Sequence, residues 1–131
     1  VASASAKVTK IARQVRKRLI EREGCSTAQC YEASLELYRE LRNAGFGASI
    51  VGGTFEIDEP DPEVTPKEAW ETGDAYFPWH WWVEVDGRVV DITADQFDHE
   101  VDGGVGPITI GTYRALRRYR ALKRTPLWYT E

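Results

Sequence analysis

An α+β fold built on an antiparallel sheet is what this sequence predicts. Three observations lead there. Two amphipathic helical stretches open the chain, a β-rich apolar run follows at Ala48 to Ile57, and Trp79 to Asp91 reads as a hairpin. About four to five strands are expected, with the second helix packed against the sheet and the other helices outside it. The 131 residues read as one domain, long enough to bury a single core.

The basic N-terminal helix is predicted over residues 3–22. Val8, Ile11, Val15 and Leu19 recur at spacings of three and four and make one apolar stripe. Lys7, Lys10, Arg13, Arg16, Lys17, Arg18 and Arg22 cover the rest. Such a face is ordinarily solvated; the alternative is a surface for an acidic partner or nucleic acid. Gly24 ends this helix. Cys25 to Gln29 is a short connection in which Ser26 or Thr27 can cap the next helix. That second helix is predicted over 28–44, with Ala33 or Ser34, Leu37 or Tyr38, and Leu41 inward and Gly45 closing it in the left-handed conformation.

Ala48 to Ile57 is the first strand, and Gly52-Gly53 inside it marks a bulge or a close backbone approach. Asp58 to Thr65 is an acidic, proline-bearing surface loop. Pro66 to Glu71 is a short helical turn with Thr65 as N-cap. Gly73 to Pro78 is a loop leading to the hairpin. After the hairpin, Thr93 to Phe97 turns away from the sheet, Asp98 to Gly106 is a polar loop, and Pro107 to Gly111 is a short strand. A last helix is predicted over 112–123, followed by a tail whose Leu127, Trp128 and Tyr129 dock on the body.

The hairpin carries the chemistry. His80, Trp82 and Glu84 alternate with Trp81, Val83 and Val85, and Asp86-Gly87 is a type I′ turn signal because both central residues need positive φ. If Val85 pairs with Arg88, Trp82 lies opposite Asp91. His80 and Asp91 are then diagonal neighbours on one face, roughly 7–8 Å apart at the backbone and within reach through their side chains. A histidine base and its orienting acid meet in that way. Cys30 falls in the first turn of the second helix, where unpaired N–H groups and the macrodipole stabilise a thiolate. The ordinary role of a cysteine is that of a small buried apolar residue; the nearby His–Asp pair is what favours a nucleophile.

Cys30-Tyr-Glu-Ala-Ser-Leu-Glu-Leu-Tyr, followed by His80-Trp-Trp-Val-Glu-Val-Asp-Gly-Arg-Val-Val-Asp91-Ile-Thr-Ala-Asp-Gln-Phe, resembles the small papain-like/transglutaminase-like cysteine-hydrolase domains of bacterial and bacteriophage genomes. Gly24 to Gly47 and Trp79 to Phe97 carry the resemblance. It implies a papain/transglutaminase-like fold and thiol-dependent hydrolysis of an amide bond in a peptide or protein. Cys30 would attack the carbonyl to form a thioester. His80 would take the thiol proton and return it to the leaving amine, and Asp91 would hold the imidazole. The alternatives are a protein-binding domain on the same fold and transglutaminase-type acyl transfer. Papain-like enzymes add an upstream glutamine to the oxyanion hole. Here Gln29 adjoins Cys30, Gln14 lies far upstream and Gln96 downstream, and the choice stays open. Trp79 is a candidate cleft wall and Trp82 a candidate shield for the His80–Asp91 pair. Asp95 reads as a cap of the turn after the hairpin.

The remaining classes are argued against by composition and spacing. Cys25, Cys30, His80, Asp91 and His99 lack the tight spacings of zinc sites, so no metal and no cofactor is expected. The net charge of −4 argues against general nucleic-acid binding. The absence of a long apolar run argues against a membrane span. With two cysteines and no visible export signal, a cytoplasmic location is the expectation. The expected partner is a peptide or protein substrate.

Overall fold

Helix α1 spans Ala4–Glu23 and α2 spans Cys30–Asn43; strand β1 (Ala48–Phe55) follows, then β2 (Trp79–Val85) and β3 (Arg88–Asp91). A 3-10 segment at Ala94–Glu100 leads to β4 (Thr109–Thr112), the single-turn helix α3 (Tyr113–Leu116) and β5 (Tyr119–Thr125). The computed structural model describes residues 3–58, 65, 67–68, 71 and 78–125. Among them, the strands form a five-stranded antiparallel sheet in the order β4-β3-β2-β1-β5. The expected α+β class is therefore observed.

Local chemistry explains the boundaries. Ser3 caps α1 by accepting from the Ala6 N–H at 3.1 Å, and Gly24 closes it in the left-handed region (φ 78°). Ala28 has φ 61°, which excludes it from the helix, so α2 starts at Cys30. Neither Ser26 nor Thr27 caps α2; Gln29 occupies that position without a side-chain bond, because Ser26 Oγ is used elsewhere. At the other end the Gly45 N–H bonds the Arg42 carbonyl and the Phe46 N–H bonds that of Leu41, a Schellman closure with Gly45 at φ 92°.

Alternation along the strands divides the apolar residues between the two sheet faces. Ile50, Val83, Val85 and Val90 pack under Val8, Val15 and Leu19 of α1 and Leu37 and Leu41 of α2. Val51, Phe55, Trp82 and Val89 face the other way, against Ala94, Phe97 and Tyr119. The body of α2 thus lies on the face opposite His80. Strand β3 ends at Asp91, so the sheet is open beside His80, and the first turn of α2 reaches the imidazole there.

The larger correction concerns residues 112–123. Only Tyr113–Leu116 is helical, and Arg117 ends that turn with φ 64°. Tyr119 to Thr125 then pairs with β1. The apolar periodicity there was partial, and the free edge of β1 supplies hydrogen-bond partners that a surface helix would leave unused. The expected strand near Pro107 to Gly111 is observed at Thr109–Thr112, and the polar stretch from Asp98 begins as the end of the 3-10 segment. Thr65 Oγ1 accepts from the Glu68 N–H at 3.2 Å, as an N-cap does. The rest of that turn, most of its flanking loops and the tail lie outside the described residues.

Gly52-Gly53 does mark a bulge with close approach. The β1–β5 register shifts there, and a Cβ on Gly53 would sit 1.9 Å from the Arg120 carbonyl oxygen and 3.0 Å from the Trp82 ring. The opposing backbone has no room to give. Gly53→Ala should therefore cost about 3 kcal/mol, the upper part of the usual range for overpacking. Urea unfolding checks this, and a loss under about 1 kcal/mol would show that the edge strand is free to shift.

Candidate active site

The hairpin forms with the register that its turn dictates. Val85 pairs with Arg88 and Val83 with Val90, and Asp86 and Gly87 have φ of 51° and 73°. His80 and Asp91 consequently meet. His80 Nε2 donates to Asp91 Oδ2 at 2.6 Å, and both side chains are almost wholly buried. That bond leaves Nδ1 free of Asp91, and the Cys30 side chain at the start of α2 lies close enough to interact with the imidazole. Tyr31, the next residue, packs edge-on against Trp81 with ring centroids 5.1 Å apart, which seats the first turn of α2 on the first residues of β2. Cys30 is partly exposed, whereas Cys25 is exposed in the preceding connection; both thiols are free.

Asp91 is a saturated hub. Oδ2 also accepts from Tyr119 Oη at 2.6 Å, and Oδ1 accepts from the Thr93 N–H at 2.9 Å and from Thr93 Oγ1 at 3.4 Å. Burial pushes its carboxyl upward, but the His80 charge and these donors outweigh that and hold it below the ordinary range. For His80, burial works against the charged form, yet the facing Asp91 carboxylate and the Cys30 hydrogen bond prevail and push it up to about 9. Burial, followed by the Asp91 charge, keeps Tyr119 well above its usual value, so its phenol stays a donor.

The walls are aromatic. Phe97, Phe55, Trp82 and Tyr119 surround the imidazole at centroid distances of 5.1, 5.9, 5.9 and 6.2 Å. Trp82 is fully buried beside the pair it was expected to shield, with its indole N–H donating to Tyr113 Oη at 3.0 Å. Water exclusion of this kind strengthens a charge pair. Trp79, by contrast, is 53% exposed on the strand position just before His80.

Of the three glutamines, only Gln96 comes to the histidine. Its Nε2 lies 3.4 Å from His80 Nδ1 and donates to the Thr93 carbonyl at 3.0 Å. Gln29 is the N-cap of α2 and its side chain makes no cap bond; Gln14 is exposed on α1. Asp95 does not cap its own turn. It takes a double bond pair from Arg16, at 2.7 Å each, and a third from Ser26 Oγ at 2.7 Å, while Arg16 also donates to the Ile92 carbonyl. Arg16 thereby ties α1, the Cys25–Gln29 connection and the Gln96-bearing segment together. His99 is exposed, and among the described residues no three His, Cys, Asp or Glu side chains converge as metal ligands.

Sequence reasoning missed Tyr119, Thr93, Phe55 and Phe97. Tyr119 was hidden by its assignment to a helix. The alternation of Tyr119 and Ala121 was the available signal, since both end on the same sheet face. An apolar groove lined by Val8, Phe46, Val85 and Val90 lies at the far end of β2 from His80 and shares no residue with this cluster. No family model matches the chain, and neither does any curated protein or solved structure.

Proposed function

We propose that this protein is a cysteine hydrolase that cleaves an amide bond in a peptide or protein through Cys30, His80 and Asp91. The observation that carries the reading is a helix-start thiol beside a buried imidazole that is itself bonded to a saturated carboxylate. Each member has the environment its role needs. Cys30 is reachable from solvent, His80 is oriented through Nε2 with Nδ1 left free of Asp91, and Asp91 cannot rotate because both oxygens are held. The same order of elements, a cysteine at a helix start and then histidine and aspartate on successive strands, is that of the papain/transglutaminase-like fold.

The chemistry follows from these positions. His80 holds the proton taken from Cys30 as an imidazolium, and the thiolate adds to the substrate carbonyl. The carbonyl oxygen takes up the negative charge, facing the Cys30 backbone N–H and the Gln96 amide as donors. Collapse expels the amine with the proton from His80, leaving a thioester. Water, deprotonated by His80, adds to the thioester and releases the acid and the free thiol.

Two measurements test this. Iodoacetamide should modify Cys30 faster than Cys25 at neutral pH, although Cys25 is the more exposed, and the order should reverse in His80→Ala. Mass spectrometry after limited labelling reads both sites. Wild-type protein incubated with a peptide library should release new amino or acid termini, and Cys30→Ala should release none. A Cys30 no more reactive than Cys25, with no response to His80→Ala, would falsify the reading.

A further inference from the structure

The chain has two basic stretches, and the structure treats them differently. On α1, Arg16 pairs with Asp95 at 2.7 Å, Arg18 with Glu36 at 3.0 Å and Glu40 at 3.6 Å, and Arg22 with Glu36 at 3.4 Å. The arginines of its second half are thus paired from within. The second stretch differs. Arg114, Arg117 and Arg120 are exposed, and among the described residues no carboxylate lies within ion-pair distance of any of them. All three line one groove of about 490 Å³, together with Arg118.

The groove is built on rigid backbone. Arg120 is fixed opposite Thr54 by the β1–β5 register, and Arg117 closes α3 with its N–H on the Tyr113 carbonyl at 2.9 Å. Arg118 braces the wall by donating to the Glu56 carbonyl and to Asp58 Oδ1, each at 2.8 Å. Three guanidiniums with no carboxylate partner among the described residues, in a protein of net charge −4, are a local concentration of positive charge, not a consequence of a basic chain. The guanidinium fork matches a carboxylate or phosphate. Glu56 also lines the groove, and with the acidic balance of the chain it repels a long polyanion backbone; a few separate carboxylates suit it better. Tyr119 forms part of the same lining while its hydroxyl holds Asp91, so the groove abuts the candidate triad.

We propose that this groove binds an acidic segment of a polypeptide, whose Glu or Asp side chains pair with Arg114, Arg117 and Arg120. The inference rests on the hydrolase reading only in making that polypeptide the substrate; the binding is tested without turnover. The full-length Cys30→Ala protein is titrated, by fluorescence anisotropy, into a fluorescein-labelled Glu-rich decapeptide, the same peptide with Gln for every Glu, and a single-stranded oligonucleotide of equal charge. The Glu peptide should bind at least about tenfold more tightly than its Gln counterpart. That preference should shrink as salt is raised from about 0.05 to 0.3 M. Combining Arg114→Gln, Arg117→Gln and Arg120→Gln should abolish it, and each single change should reduce it in part, with the unfolding midpoint unmoved because these side chains make no bond to another described residue. Equal affinity for the two peptides, or indifference to the triple change, overturns the proposal. An oligonucleotide bound more tightly than the Glu peptide, with loss in the triple variant, overturns it in favour of nucleic acid. Turnover separates the two readings. Tight binding of Glu peptides that wild-type protein never cleaves leaves the groove standing and removes the hydrolase, whereas cleavage with no Glu preference removes the groove alone.

Discussion

Asp91→Ala is expected to lower the stability of the fold by about 3–5 kcal/mol, the range for removing one partner of a buried charged pair. The reason lies in what the change leaves behind. His80 is fully buried and loses its counter-charge, Tyr119 Oη loses its acceptor, and the Thr93 N–H is stranded in the interior. Buried donors without acceptors cost their full desolvation. Asp91→Asn keeps the size and one acceptor oxygen, so it should cost less while still disturbing the orientation of His80. Urea unfolding followed by tryptophan fluorescence measures both variants. The same Asn substitution should slow amide turnover by about 10⁴-fold if Asp91 orients the imidazole. An alanine variant within about 1 kcal/mol of wild type would mean that water or a neighbour replaces the carboxylate, and the hub assigned here would not exist.

Stability should also fall as pH rises from about 6.5 to about 9, and His80 is the group responsible. Its folded-state value, pushed up to about 9, exceeds the 6.5 of the free side chain. A raised value means that the folded state binds the proton more tightly than the unfolded chain. The resulting stabilisation is complete below about 6.5 and disappears as pH passes about 9. The span of the shift corresponds to a change on the order of 3 kcal/mol. Asp91 has the opposite sign: its value is lowered, so its contribution is present above the ordinary aspartate range and is lost as acid protonates it. Urea midpoints at pH 6, 7.5 and 9 measure the alkaline slope, and His80→Gln serves as control because a neutral side chain removes it. A flat wild-type profile across this window, or an unchanged slope in His80→Gln, would show that the imidazole is not held charged by Asp91.

Much of this site was legible because short-range rules govern it. A two-residue Asp-Gly turn leaves one register, one register puts His80 diagonal to Asp91, and period-2 alternation assigns the two to one face. The start of α2 was legible to within two residues, enough to put Cys30 in its first turn. Helix α1 was plain from its apolar stripe, with Ala12 joining Val8, Val15 and Leu19 inside. What the chain could not reveal in this way were pairings between distant segments. Gln96 was one of three glutamines with nothing local to separate them. Asp95 read as a turn cap, although its partners Arg16 and Ser26 come from the other end of the chain.

The last helix shows the same boundary from the other side. Residues 119–125 carry no decisive period of their own, and the unpaired edge of β1, some seventy positions earlier, draws them into a strand. That pairing delivers Tyr119 to Asp91 and arranges the arginines of the groove. By itself, then, the sequence determined the helices with strong stripes, the hairpin and its register, and the three residues proposed to act, since turn geometry and side-chain periodicity are properties of contiguous residues. The tertiary structure alone decided the strand at residues 119–125, the donors that hold Asp91, the glutamine beside His80 and which arginines keep no carboxylate partner among the described residues. Those depend on which distant backbone edges and charges the folded chain brings within bonding distance.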